Sequence, residues 1–171
     1  MQRKAPSKII KNAVDTDLSL DSIDRKILNI LQNDSRITNL ALAEKVNLSA
    51  PPCLKRVNRL RELGIIEKEV VLVDPFKVGR GIIVFVSVSL EKQRDDLLSH
   101  FERKMLEAPE VMQCYFVSGS TDYMVIVNAP DMEHYNEFAR RVFAKEANIS
   151  KYHSEICLHK IKYVTRIYLP E

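Results

Sequence analysis

The 171-residue chain is 46% hydrophobic and 29% charged, with a formal net charge of +3, the balance of an ordinary folded globular protein. No apolar run reaches the length of a membrane span, and the opening MQRKAPSKII lacks the apolar stretch and cleavage site of a secretory signal. The three cysteines, Cys53, Cys114 and Cys157, are far apart and form no C-x-x-C pair, which argues against zinc or dithiol chemistry and fits a reducing cytoplasm.

The positive charge is unevenly spread. Residues 1–64 carry twelve Lys/Arg against seven Asp/Glu, and the remainder carries fourteen against sixteen. That asymmetry suggests a nucleic-acid module joined to a module with a different task. Residues 1–18 are polar and basic at the front. They read as a flexible tail, either touching DNA phosphates or simply disordered without a role.

Residues 19–64 form the first domain, a helix-turn-helix of three helices at about 21–32, 39–46 and 50–63. Asp21 or Ser22 can cap the first helix, and Ile23, Ile27, Ile30 and Leu31 give it helical spacing. The expected core is Leu20, Ile23, Ile27, Leu31, Ile37, Leu42, Val46, Val57 and Leu60. In the third helix Cys53, Val57 and Leu60 share one face, and Lys55, Arg56, Asn58, Arg59 and Arg61 occupy the other. A cationic face on an amphipathic helix suits a polyanion, and such a helix fits the DNA major groove. Pro51 and Pro52 mark its first turn, where a missing N–H costs nothing. They also remove the donors that a Ser49 N-cap would bind, so the cap is Ala50 or Ser49 serves otherwise, as a phosphate contact or an ordinary turn residue. Gly64 ends the helix.

Residues 65–80 read as a β linker. Ile65–Val73 is rich in β-branched residues, a strand able to pair with another subunit. Residues 81–171 alternate strand and helix patterns: a strand from Ile82, a helix over Arg94–Glu107, strands at Val111–Ser118 and Tyr123–Ala129, a helix over Asp131–Ala147, and a last strand over His153–Tyr163 followed by Val164–Leu169. The order β-α-β-β-α-β predicts an α+β, ferredoxin-like sheet with both helices on one face.

These elements carry two separate motifs. The stretches IDRKILNILQNDSRITN and LAEKVNLSAPPCLKRVNRLRELGII, with Ser49, Cys53, Arg56 and Val57, and the hairpin VSGSTDY at residues 117–123, resemble the Lrp/AsnC (leucine-responsive, feast/famine) family of transcription regulators. Ala50 departs from the pattern, where many members have proline. The resemblance implies a winged helix-turn-helix, a β linker and a ferredoxin-like effector-binding (RAM) domain. It also implies cytoplasmic dimers, often assembled to octamers, that bind operator DNA and sense a free amino acid. Ser49, Lys55, Arg56, Asn58 and Arg59 are the expected DNA contacts. The hairpin agrees with an effector site: Gly119 can aim backbone N–H groups at a carboxylate, Asp122 can accept from an ammonium, Ser120 and Thr121 add hydroxyls, and Tyr123 a phenol or a wall. The same residue types are also plain turn formers. The resemblance adds Ser154 from a neighbouring subunit.

Two other readings stand beside this one. One is an architectural DNA-wrapping protein without an effector. The other is an enzyme on a ferredoxin-like scaffold, against which stands the lack of any clustered acid–base set. His100, His134, His153 and His159 lack metal-ligand spacing, and Cys53 fits packing on the apolar face. No cofactor, metal or catalytic role is expected.

Overall fold

The computed structural model describes residues 20–170. The expectation for the tail at residues 1–18 lies outside them. Two compact units are present. One runs up to Val70 and regains the chain from Val164, and the other is Val71–Tyr163.

The first unit is built of three helices. Helix α1 spans Ser22–Leu31, and its N-cap Asp21 accepts the Asp24 N–H at 2.8 Å. Helix α2 spans Asn39–Lys45, capped by Thr38 through the Ala41 N–H. Helix α3 spans Ala50–Glu62; Ser49 is the N-cap residue, but its hydroxyl makes no capping bond, as the two prolines dictate. Gly64, at φ 70°, closes α3: its N–H bonds Arg61 O, and the Ile65 N–H reaches back to Leu60 O. That pair of bonds is a Schellman ending and needs the left-handed backbone glycine adopts freely. Ile27, Leu28, Leu42, Ala43, Val46, Cys53, Val57 and Leu60 are buried together, with Leu20, Ile23, Leu31 and Ile37 against them.

The C-terminal segment completes this unit. Leu169 packs on the helical core. The Gln32 side-chain amide donates to Ile167 O at 3.1 Å and accepts the Ile167 N–H at 2.6 Å, and Asn29 donates to Leu169 O. The residues after Tyr163 find their apolar and backbone partners among the helices and are compact with them.

In the second unit, strand β1 spans Ile82–Leu90, helix α4 Asp95–Glu107, strand β2 Val111–Phe116, strand β3 Tyr123–Ala129, helix α5 Met132–Val142 and strand β4 Ile149–Ile156. The sheet order β2-β3-β1-β4, antiparallel throughout, is that of a ferredoxin-like α+β fold. Val84, Val86, Val88, Tyr123, Val125 and Val127 point under the two helices and meet Phe101, Met105, Tyr135, Phe138 and Val142. Period-2 alternation sends their neighbours to the other face. There Phe85 and Tyr115 are exposed and Met124 and Ile126 half-buried, so no element of the sheet unit covers this face.

Four elements depart from the sequence expectation, the first being strand β2, which ends at Phe116 rather than Ser118. Ile65–Val73 forms no regular element, and Val70–Val73 are exposed. A strand needs a hydrogen-bonded neighbour, and the described residues supply none there. Strand β4 begins earlier than expected and stops at Ile156, where its pairing to β1 runs out. Helix α5 ends at Val142, short of Ala147.

Candidate functional site

The face of α3 is organised by charges. At 3.6 residues per turn, Lys55 and Asn58 point away from the buried Cys53, Val57 and Leu60. Arg56 and Arg59 lie on the flank that meets the start of α1. Arg56 Nη1 bonds Asp21 Oδ2 at 2.6 Å and Asp24 Oδ1 at 2.9 Å, and Arg59 bonds the other oxygen of Asp24. Asp24 is fully buried, while the two guanidiniums remain partly in water. The Asp24 N–H bond and the Arg56 guanidinium hold the Asp21 carboxyl below its ordinary range, and Asp21 and Asp24 raise Arg56 in turn. Arg61 pairs with Glu69 at 2.6 Å. Lys55 is thus the one cation of α3 without an ion pair among the described residues. An open hollow of about 490 Å³ lies on this flank, lined by Asp21, Pro52, Lys55, Arg56 and Arg59.

Of the residues expected to meet DNA, Ser49, Lys55 and Asn58 carry polar groups toward solvent; Asn58 accepts only a long, 3.4 Å bond from Arg61. Arg56 and Arg59 are already engaged. Asp24 escaped notice in the sequence, although the signal was present: it sits on the same i, i+3, i+4, i+7 stripe as Ile27, Leu28 and Leu31.

The hairpin between β2 and β3 is closed by the Val117 N–H on Asp122 O, and Gly119 turns it at φ 141°. Asp122 is anchored at both oxygens. One accepts the Leu90 N–H at 2.6 Å, and the other accepts from Gln93 at 2.5 Å. Both donors are neutral, so this carboxylate has no ion-pair partner among the described residues. Thr121 donates to Tyr123 O, while Ser120 at the tip is exposed. Tyr123 is buried between Phe101 and Phe116, and its hydroxyl donates to Glu102 at 3.0 Å. Burial and the Glu102 carboxylate push that phenol well up. Ser154 pairs opposite Val86 in β4, and its hydroxyl is hydrogen-bonded to Tyr135 beneath α5. Within one chain β1 separates it from β3, so it does not join the loop. Leu90 and Gln93, which hold Asp122, carry no sequence signal, since one acts through its backbone.

Among the described residues no group of His, Cys, Asp and Glu could hold a metal ion, and no helix is long and apolar enough to cross a membrane.

Residues 20–67 match the model of a winged helix-turn-helix DNA-binding domain, and residues 83–167 that of the Lrp/AsnC ligand-binding domain. The chain belongs to the Lrp/AsnC family. A protein of Haemophilus influenzae described as an HTH-type transcriptional regulator is 46% identical over 80% of this chain and 81% of its own length. The DNA-binding transcriptional activator DecR of Escherichia coli is 37% identical over 86% and 97%. The crystal structure of the transcriptional regulator NMB0573 from Neisseria meningitidis, complexed with L-Met, superposes with a TM-score of 0.83 at 33% identity, covering 88% of this chain and 97% of that one. This Lrp/AsnC member is therefore a transcriptional regulator with a DNA-binding and a ligand-binding domain, in a family of regulators rather than enzymes.

Proposed function

We propose that this regulator works in the cytoplasm as a homodimer that assembles to octamers. Its α3 helix enters operator DNA, and a free amino acid bound at the hairpin shifts the balance between assemblies. Lys55 and Asn58 are the base readers, since they stand on the outward face of α3. Ser49, Arg56 and Arg59 serve the flanking phosphates. The dimer forms through the uncovered sheet face, where Phe85, Tyr115, Met124 and Ile126 need cover. Two α3 helices in one dimer then meet half-sites about 34 Å apart.

The observation that carries the effector reading is Asp122. It is a carboxylate fixed by neutral donors, with acceptor positions left on each oxygen and no ion-pair partner among the described residues. An ammonium would supply the missing charge. Backbone N–H groups of the turn at Gly119, with the Ser120 hydroxyl, would meet the carboxylate of the same zwitterion, while Thr121 keeps its own proton on Tyr123 O and steadies the turn. Tyr123 supports the loop from beneath, and the partner subunit's Ser154 closes the site. The L-Met carried by the Neisseria relative supports this class of ligand. A ligand can bias assembly only through different affinities for the two states.

The test is a thermal-shift screen of the twenty amino acids at millimolar concentration, on wild type and Asp122→Asn. A ligand binding only the folded state stabilises it by about 2.7 kcal/mol at a hundred times its dissociation constant. Shifts for a few amino acids, lost in Asp122→Asn, are expected. A shift that survives the substitution removes Asp122 from the site.

A further inference from the structure

The hollow beside α3 mixes three cations with one exposed carboxylate. Lys55, Arg56 and Arg59 surround it, and Asp21 reaches in to bond Arg56. The two carboxylates on Arg56 are not equivalent. Asp24 is fully buried and cannot leave, whereas half of the Asp21 side chain is in solvent. The two oxygens of Asp21 also divide their work. Oδ1 caps α1 through the Asp24 N–H, and Oδ2 alone holds the guanidinium. A phosphate oxygen makes the same charge-assisted bond to that N–H as a carboxylate does. Three of the four cations of α3 are paired inside the free protein, an odd arrangement for a helix whose partner is a polyanion.

Building on the DNA-binding reading above, we propose that this hollow is a seat for a DNA phosphate, and that Asp21 fills it in the free protein as an internal competitor. On DNA, the phosphate takes Arg56 from Asp21 in a simple exchange of partners. Asp24 keeps both guanidiniums aimed throughout. A phosphate contact carries no sequence information, so the competitor lowers affinity for all DNA alike. Sites lacking good base contacts are the first to fall below occupancy.

Asp21→Asn isolates the effect. Asparagine caps a helix as well as aspartate does, so the Oδ1 bond survives while the charge on Arg56 is withdrawn. The full chain is titrated with a mixed-sequence duplex of about 30 base pairs at roughly 50 mM salt, where phosphate contacts dominate binding. Asp21→Asn is expected to bind about three- to tenfold more tightly, the release of one exposed ion pair and of carboxylate–phosphate repulsion. In an Arg56→Ala background the same change is expected to do nothing, because the coupled partner is gone. Unchanged or weaker binding by a folded Asp21→Asn overturns the proposal. So does an equal gain in the Arg56→Ala background, which would be the general effect of removing a negative charge. Should circular dichroism show Asp21→Asn unfolded, Asp21→Ser, another good cap, takes its place. If the wild type itself ignores the duplex, the DNA-binding reading falls and takes this one with it. Wild-type binding without coupling between residues 21 and 56 defeats this one alone.

Discussion

Asp24 offers a quantitative test of how the helical unit is held together. It is a fully buried carboxylate tied to Arg56 and Arg59, both of which keep part of their side chains in water. Removing opposite ends of this network is therefore not symmetrical. In Asp24→Ala the guanidiniums lose two charge-assisted bonds, but Arg56 keeps Asp21 and both can turn further into solvent. The cost should be about 1–2 kcal/mol. In the double variant Arg56→Ala/Arg59→Ala, the carboxylate stays buried with no cation, a situation that costs about 3–5 kcal/mol. The gap of roughly 2 kcal/mol corresponds to about 10 °C in the melting temperature of a unit this size. Hydrogen exchange at the α1 and α3 amides reads this unit separately from the sheet unit. Adding Asp24→Ala to the double variant should restore stability. A double variant more stable than Asp24→Ala would refute the reasoning and show Asp24 to be open to water.

Two further outcomes are expected. Leu169→Ala combined with Gln32→Ala should destabilise the helical unit by about 2–3 kcal/mol, from lost burial and the two amide bonds to Ile167, and leave the sheet unit unchanged in hydrogen exchange. The Asp131 carboxylate raises the His134 imidazole above its ordinary pKa, with Asp131 also capping α5. A raised histidine contributes stability below its unfolded value, near 6.5, that is lost as pH rises through the folded value. An NMR titration should show His134 titrating above 6.5, and Asp131→Asn, which keeps the cap, should bring it back.

Much of the architecture was legible because its signals are local. The 3.6-residue stripes, the Asp21 and Asp131 caps, the two prolines and Gly64 each act within one turn of helix. The period-2 strands around a hairpin did the same for the sheet. What escaped was set by distant partners. Ile65–Val73 has the composition of a strand but no neighbour among the described residues to complete it. The residues after Ile156 look strand-like by alternation, yet Leu169 is drawn to a helical core far back in the sequence. At the sites, residue types were readable and their commitments were not. Arg56 and Arg59 read as free cations until the burial of Asp24 was known, and Asp122 read as a free carboxylate until the Leu90 N–H and Gln93 were seen on it.

The place of Leu169 has a consequence for how the chain is made. The helices of the DNA-binding unit leave the ribosome early, but the side chain that finishes their core follows only after the roughly ninety intervening residues of the sheet unit. At ordinary elongation speeds of about 5–20 residues per second, that is a wait of roughly 5–20 s. During this interval α1 carries an uncovered apolar spot and an unanswered glutamine. A chain broken off within the sheet unit never loses them. The helical unit is thus made before the sheet unit but completed after it, and prematurely terminated copies carry it without the side chain that finishes its core.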